Sequence, residues 1–397
     1  MDRANRIAIA GAGIGGLSAA LALAKVGLKV CVFEKTARLE EVGAGLQMSP
    51  NAMKVLRYLG LDTVLRAHAC VPQYATMRDF KTGDYYLKRA VGAAAESRYG
   101  APYWHLHRAD LHKVLVASCE EMGVALILGA NVSGYLEQGD GVIVICADGS
   151  EYAADLLIGA DGIRSMIREQ MLGKESPTFM KQVAWRGVIP VGEIKSVNIQ
   201  PDACVWVGPN RHFVTYYLRG GEYVNFIAVE ERNSWHHESW CEVGSIGELK
   251  SAFTDWHPEV SDLLGYAKNI FLWSLNGRDV LPTWYQYHTV LLGDACHPIL
   301  PFMAQGAAMA IEDAYVLSQC LVRYAIPEAL QQYEALRKPR VTAIQSMSKD
   351  NARLYHMRGG TIGRIKLKAV RVASQFAPSL IQAKLDPIYG YDVTKLL

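Results

Sequence analysis

The chain has 397 residues, half of them hydrophobic and 20% charged, with a formal net charge of +2. That is enough apolar material for a large core and enough length for two structural units. The near-neutral balance excludes the one-signed field that a nucleic-acid or acidic-partner binder would carry. The 8 cysteines are scattered singly, without a Cys-x-x-Cys pair, so neither a zinc site nor a redox dithiol is indicated. They are expected to be reduced thiols of a cytoplasmic protein. The first strand opens almost at the N-terminus, which is expected to leave no targeting segment. Apolar stretches are interrupted by Lys25, Lys29 or glycines, against a membrane span.

Residues 7–34 predict a strand, an alanine-rich helix and a second strand, with Gly11-x-Gly13-x-x-Gly16 in the first turn and Glu34 closing the second strand. This is a dinucleotide-binding pattern. Gly11 permits the turn, Gly13 lets a pyrophosphate approach the backbone, and Gly16 lets the helix pack closely. The helix N-terminus offers N–H groups to the phosphates. Glu34 stands where a carboxylate accepts ribose hydroxyls. The glycine-containing run Val42-Gly43-Ala44-Gly45-Leu46-Gln47 leads into a helix ending near Leu59. Residues 73–100 change to alternating polar and aromatic positions and predict strands of a different sheet. His107-Arg108-Ala109-Asp110 opens another helix. Residues 124–159 alternate as strands and end at Asp161-Gly162. Residues 178–230 are strand-rich again. Past residue 290 come a buried strand, Gly293-Asp294, a loop to Gln305-Gly306 and a long helix. The tail over 359–385 is helical in pattern and locally basic, with Arg364, Lys366, Lys368 and Arg371. It suits either a solvated face near a subunit contact or a membrane-surface or partner face.

The expected class is therefore α/β: a Rossmann-like unit over 1–72, 101–177 and 276–397, with an inserted antiparallel-sheet domain over 73–100 and 178–275. A plain nicotinamide dehydrogenase needs only the first motif. Here Arg108, Asp161 and Asp294 add a cation for a pyrophosphate and two acids at the carboxyl end of the sheet, where open α/β folds bind ligands. Asp294 can bond ribityl hydroxyls, and the N–H groups around Gly306 can face an electron-rich ring.

In this order the motifs resemble those of the single-component FAD-dependent aromatic hydroxylases, the class A flavoprotein monooxygenases. The shorter runs 43–47, 98–112 and 208–222 are similar to those of 3-hydroxybenzoate 6-hydroxylases, and less so to salicylate 1-hydroxylases and 6-hydroxynicotinate 3-monooxygenases. The last carry histidine where Gln47 and Phe302 stand here. The resemblance implies the aromatic hydroxylase fold and tightly bound, non-covalent FAD. Its FAD contacts would be Gly11, Gly13, Gly15, Gly16, Glu34, Lys35, Gly45, Leu46, Arg108, Asp161, Asp294, Gly306 and Ala307. It implies NADH as a transient co-substrate, O2, a small aromatic acid as substrate, and a homodimer. The activity it points to is hydroxylation of 3-hydroxybenzoate to gentisate through an electrophilic flavin C4a-hydroperoxide.

Such an oxygen donor attacks only an electron-rich carbon, so the protein must supply a base that ionises the ring hydroxyl. His212 and Tyr216 lie four apart on a strand-like segment and share a face. The resemblance makes His212 the base or relay and Tyr216 the partner of the phenol oxygen. A core histidine bonded to a backbone carbonyl, and aromatic packing of Tyr216, are the alternatives. Gln47 and Gln305 are candidate substrate contacts, and Phe302 and Met303 candidate pocket wall. His297 is expected to shape the flavin loop, and the pair His236 and His237, with Trp235 and Trp240, to pack or face solvent. A flavin halogenase is disfavoured because no Trp-x-Trp-x-Ile-Pro run occurs. A flavin-binding sensor or carrier without turnover remains the other alternative.

Overall fold

The computed structural model describes residues 6–39, 44–234, 242–357 and 360–397. The expectations for residues 42–43, Trp235, His236, His237 and Trp240 fall outside these segments. Two large sheets organise the chain. The first has six strands, built around parallel pairing of Arg6–Ala10 with Lys29–Glu34 on one side and Leu156–Gly159 on the other. Thr289–Leu291 and Ala125–Leu128 extend it on either side in parallel. All four residues of Leu156–Gly159 are buried, as expected of a strand covered on both faces. Helices Ile14–Lys25 and Gly306–Arg323 pack against each other on this sheet.

The second sheet has eight strands: Tyr74–Asp79, Tyr85–Ala90, Thr178–Pro190, Ala203–Gly208, Arg211–Leu218, Tyr223–Glu231, Glu242–Val243 and Ile270–Gly277. All its pairings are antiparallel except one. Ala203–Gly208 runs parallel to Tyr74–Asp79, so the inserted sheet is mixed rather than purely antiparallel. Ile270–Gly277 also runs across the boundary expected at residue 276. One face of this sheet packs Trp185, Phe213, Phe226 and Trp206 against helices Ile246–Ala252 and Pro258–Gly265. The opposite face turns toward the first unit.

The strand expectation for 73–100 is corrected at its end, where Gly92–Tyr99 is a helix. Three consecutive alanines, the best helix formers, outweigh the flanking aromatics. Gly100 closes it in the left-handed region at φ 75°.

Two long-range contacts lock the units together. Gly45 N–H donates to Asn225 Oδ1 at 2.9 Å. The 30-residue helix Ile326–Tyr355 reaches from the first unit to the second. Along its length Gln345, Ser348 and Asn351 donate to the carbonyls of Pro298, Leu300 and Phe302. The loop carrying Phe302 is therefore held at three successive points. Among the described residues no helix is long and apolar enough to cross a membrane.

Candidate active site

The glycine turn is built by close contacts. Gly11 sits at φ 104°, and a Cβ there would lie 2.6 Å from Ala160 O. A Cβ on Gly16 would lie 2.0 Å from Gly11 O, so the helix packs directly on the turn's own carbonyl. Gly15 abuts Leu292 and Ala310, which brings the Gly293-Asp294 turn and helix Gly306–Arg323 beside the first motif. Gly13 differs from these three: a Cβ there would meet nothing within 4 Å. It caps the helix without a side-chain partner. Open space in front of unpaired helix N–H groups is what a pyrophosphate requires.

Glu34 accepts from Ala12 N–H at 2.9 Å and from Thr36 N–H and Oγ1. Its carboxylate braces the glycine turn while keeping lone pairs for a ribose. Lys35, beside it, is exposed. Asp161 caps helix Met166–Leu172 through Oδ2, which accepts from Met166 N–H at 2.8 Å. Its Oδ1 is buried with no partner. Burial raises its pKa, partly offset by the Ser165 hydroxyl and the N–H groups of Ile167 and Met166. A buried acceptor left unpaired costs stability unless a ligand donates to it.

Asp294 keeps an accessible side chain, yet loss of surrounding water raises its pKa. Both observations describe a carboxylate on the wall of a cleft. His297 and Arg108 act against the rise. Arg108 opens helix Arg108–Glu121, and its N–H donates to Ala44 O at 2.9 Å. Gly306 opens its helix with no atom within 4 Å of a Cβ, next to half-buried Ala307. Leu46 is likewise half-buried, on the strand Gly45–Met48. The unpartnered Asp161 oxygen, the open Gly13 and Gly306 and the Asp294 wall together fit a flavin dinucleotide.

A buried ionic cluster fixes the loop between these parts. Arg337 donates to Glu312 at 2.6 Å and to Asp313 at 2.7 Å, and all three are fully buried. Arg340 also reaches Glu312, and His297 Nε2 lies 2.6 Å from Asp313. Burial would raise both carboxyl pKa values. The charges of Arg337 and Arg340 beside Glu312, and of His297 and Arg337 beside Asp313, reverse that and hold both low. Asn51 ties this cluster to Gln305. Both ends of the Gln305 amide are engaged within the protein: Oε1 by Asn51, Nε2 by Ser49 Oγ and Met303 O. Gln305 is thus oriented by partners from two other segments, with one acceptor lone pair of Oε1 left over. His297 is held as a loop-shaping residue between Asp313 and the Trp284 ring.

Strand Arg211–Leu218 turns His212 and Tyr216 to the same face, both buried. Four residues of strand separate their Cα atoms by about 13 Å, so the two side chains stand in different surroundings along one face. Tyr216 lies against Gly45, where a Cβ would fall 2.5 Å from the ring. Its ring centroid is 4.6 Å from that of His105. Burial raises the Tyr216 pKa, with Arg186 pulling the other way. Three unpartnered donors or ring nitrogens gather here: Arg186 Nε, Asn225 Nδ2 and His105 Nε2. Burial brings His105 down to about 3, so it stays neutral. Burial also lowers Arg186, to about 10, with Tyr216 and a second cation, Arg108, as the electrostatic influences on it. The Arg186 guanidinium lies 4.3 Å over the Trp273 ring, and its Nε has no hydrogen-bond partner, an arrangement that suits an anionic ligand. Gln47 presents its amide nitrogen, since Tyr103 Oη already donates to its Oε1 at 2.7 Å.

His212 lies at the other end of the strand. Its ring is 5.3 Å from Phe302 and 5.4 Å from Tyr355. Its Nδ1 is 2.7 Å from His356 Nε2, so its partner is an imidazole and not a backbone carbonyl. Burial and the neighbouring His356 keep His212 well below the usual histidine pKa, hence neutral.

Sequence reasoning missed His105, Arg186, Asn225, Tyr355 and His356. A lone arginine inside the apolar run Val183-Ala184-Trp185-Arg186-Gly187-Val188 was a usable signal. Nothing in the sequence links His356 to a strand 144 residues earlier.

Residues 5–348 match the family model described as FAD binding domain. The 6-hydroxynicotinate 3-monooxygenase of Pseudomonas fluorescens is 39% identical over 360 residues, 88% of this chain and 92% of that one. The 3-hydroxybenzoate 6-hydroxylase of Klebsiella oxytoca is 34% identical over 364 residues, 90% and 91% of the two chains. A solved salicylate hydroxylase substrate complex superposes with a TM-score of 0.82 at 25% identity, covering 98% of this chain and 96% of that one.

Proposed function

The chain belongs to the FAD-binding aromatic hydroxylase family, and from that premise we propose that it uses NADH and O2 to hydroxylate a monocyclic hydroxy-aromatic acid. FAD, when bound, supplies the two-electron chemistry that delivers one atom of O2 to the ring. The observation that carries the substrate class is the pairing of two unlike ends on one strand face. A neutral, buried His212 stands at one end. Tyr216 stands at the other, among unpartnered donors that include Arg186.

An aromatic acid with a ring hydroxyl matches both ends. Tyr216, expected above at the phenol oxygen, is placed instead with Arg186 on the carboxylate, because it stands about 13 Å along the strand from His212 and its electrostatic neighbour is Arg186; Gln47 adds N–H donors. His212 takes the hydroxyl proton, which raises electron density ortho and para to the oxygen. In 3-hydroxybenzoate, carbon 6 is para to the hydroxyl. A base so placed contributes roughly 10² to 10⁴ in rate. Phe302 and Tyr355 exclude water beside His212. The FAD contacts are Gly11, Gly13, Glu34, Arg108, Asp161, Asp294 and the Gly306 helix terminus.

3-Hydroxybenzoate 6-hydroxylation is the first reading. 6-Hydroxynicotinate is the second, favoured by the relative at 39% identity; its carbons 3 and 6 are likewise para. Salicylate shares the same two groups. The test is a panel of these three acids on flavin-loaded protein, with NADH and NADPH compared, oxygen uptake followed and products identified. Stimulated NADH oxidation coupled to a hydroxylated product is expected. Bound flavin with no response to any of the three acids would remove the proposal.

A further inference from the structure

The His212 imidazole does not end in a structural contact. Its Nδ1 is 2.7 Å from His356 Nε2, and His356 Nδ1 is 2.8 Å from Glu231 Oε1. His212 and His356 are sealed from solvent at 3% and 0% exposure, while the Glu231 side chain is 22% exposed. Three groups from three separate elements thus form a line from buried His212 to the surface. His212 comes from strand Arg211–Leu218, Glu231 from the end of strand Tyr223–Glu231, and His356 from the C-terminal cap of the long helix. Backbone bonds hold the line in register: Asn210 N–H donates to His356 O at 2.9 Å, and Glu231 N–H to Asn210 O at 3.0 Å.

We propose that His212, His356 and Glu231 form a proton conduit that carries the hydroxyl proton of the bound ring to water. This rests on the proposed role of His212 as the base. The donor direction follows from the carboxylate. Ionised Glu231 can only accept, so His356 carries its proton on Nδ1 and accepts at Nε2. His212 then donates from Nδ1 and presents a lone pair at Nε2.

Transfer proceeds by three shifts, the last two along hydrogen bonds already in place. The substrate O–H bond breaks and an N–H bond forms at His212 Nε2. The His212 Nδ1 proton passes to His356 Nε2. The His356 Nδ1 proton passes to Glu231, which releases it to solvent. No electrons are exchanged, and the ring is left as a phenolate. Each imidazole ends as the opposite neutral tautomer, so no imidazolium need persist in a site where burial opposes it. Gln182 Nε2, 3.3 Å from His356 Nδ1, can donate to that nitrogen once its proton has left.

The readout is the phenolate absorption of the bound acid after rapid mixing with oxidised, flavin-loaded protein, using the acid from the panel above that stimulates NADH oxidation. Glu231→Gln and His356→Gln keep hydrogen-bonding groups but cannot relay a proton. Both should slow phenolate formation by roughly 10-fold or more, with the ligand Kd and the flavin spectrum unchanged. Glu231 reaches the surface, so Glu231→Gln carries the test if His356→Gln does not fold. Wild-type rates in Glu231→Gln, alongside a slow His212→Gln, overturn the conduit and leave His212 as the base. Wild-type rates in His212→Gln overturn the base assignment and the conduit with it. A loss of flavin or ligand affinity in Glu231→Gln that matches its loss in rate also overturns the conduit.

Discussion

Gly45→Ala tests the geometry of the pocket floor. Gly45 carries no positive φ, so the backbone accepts alanine without strain. The nearest obstacle is Tyr216, whose Cε2, Oη and Cζ would lie 2.5, 2.6 and 2.8 Å from the new methyl group. The ring cannot simply swing away, because it is 2% exposed and held against His105 at 4.6 Å. Overpacking of this kind costs about 1–3 kcal/mol. The Gly45 N–H bond to Asn225 is strained by the same displacement. In a Tyr216→Ala background the methyl group enters vacated space and the penalty should nearly vanish. The assay is a double-mutant cycle read by urea unfolding of flavin-loaded protein, with KM for the aromatic acid measured in parallel. A coupling energy of about 1–3 kcal/mol is expected, and Gly45→Ala should raise KM. An equal penalty in both backgrounds would refute the steric argument.

Arg337→Met should destabilise the protein by about 3–5 kcal/mol, because it leaves Glu312 and Asp313 buried with less compensation; a urea midpoint shift worth under about 1 kcal/mol would contradict this. Both carboxyls have folded-state pKa values below their unfolded ones. The stability they confer is present above the unfolded values of about 4 and is lost as pH falls through the lower folded values. Unfolding free energy should therefore decline with falling pH across the acid range, and less steeply in the double variant Glu312→Gln, Asp313→Asn. Asp161→Ala should weaken flavin binding, read by fluorescence titration, since its unpartnered Oδ1 is assigned to the cofactor. An unchanged flavin Kd would return that oxygen to a purely structural role. Arg186→Gln should raise KM for the acid far more than it lowers kcat, because it removes the carboxylate's cation; the reverse pattern would place Arg186 at the chemistry instead.

The parts of the fold legible in sequence are those written in local pattern. The turn at Gly11, the strand before Asp161 and the turn at Asp294 each announce themselves through burial periodicity and glycine spacing. Their convergence is legible because a parallel sheet sends its strand ends to one edge. The parallel pairing of Ala203–Gly208 with Tyr74–Asp79 was not legible. It joins segments more than a hundred residues apart, and neither strand's side-chain alternation depends on its partner's direction. The helix at Gly92–Tyr99 was hidden by the aromatic strands before it. At the site, His212 and Tyr216 share a face because strands have period two. The different environments of their ends came from other elements: Gly45 and Arg186 around Tyr216, Phe302 and His356 around His212. Gln305 shows the same limit: the partners that orient its amide, Ser49 and Asn51, come from another part of the chain.

The most direct measurement is product analysis under heavy-isotope O2. Flavin-loaded protein, NADH and the panel of hydroxy-aromatic acids are incubated together, and the product's mass is read. One labelled oxygen atom is expected in a ring hydroxyl of at least one acid, with little such product from His212→Ala despite normal flavin content. NADH consumption that yields only hydrogen peroxide with every acid, or undiminished labelled product from His212→Ala, would contradict it.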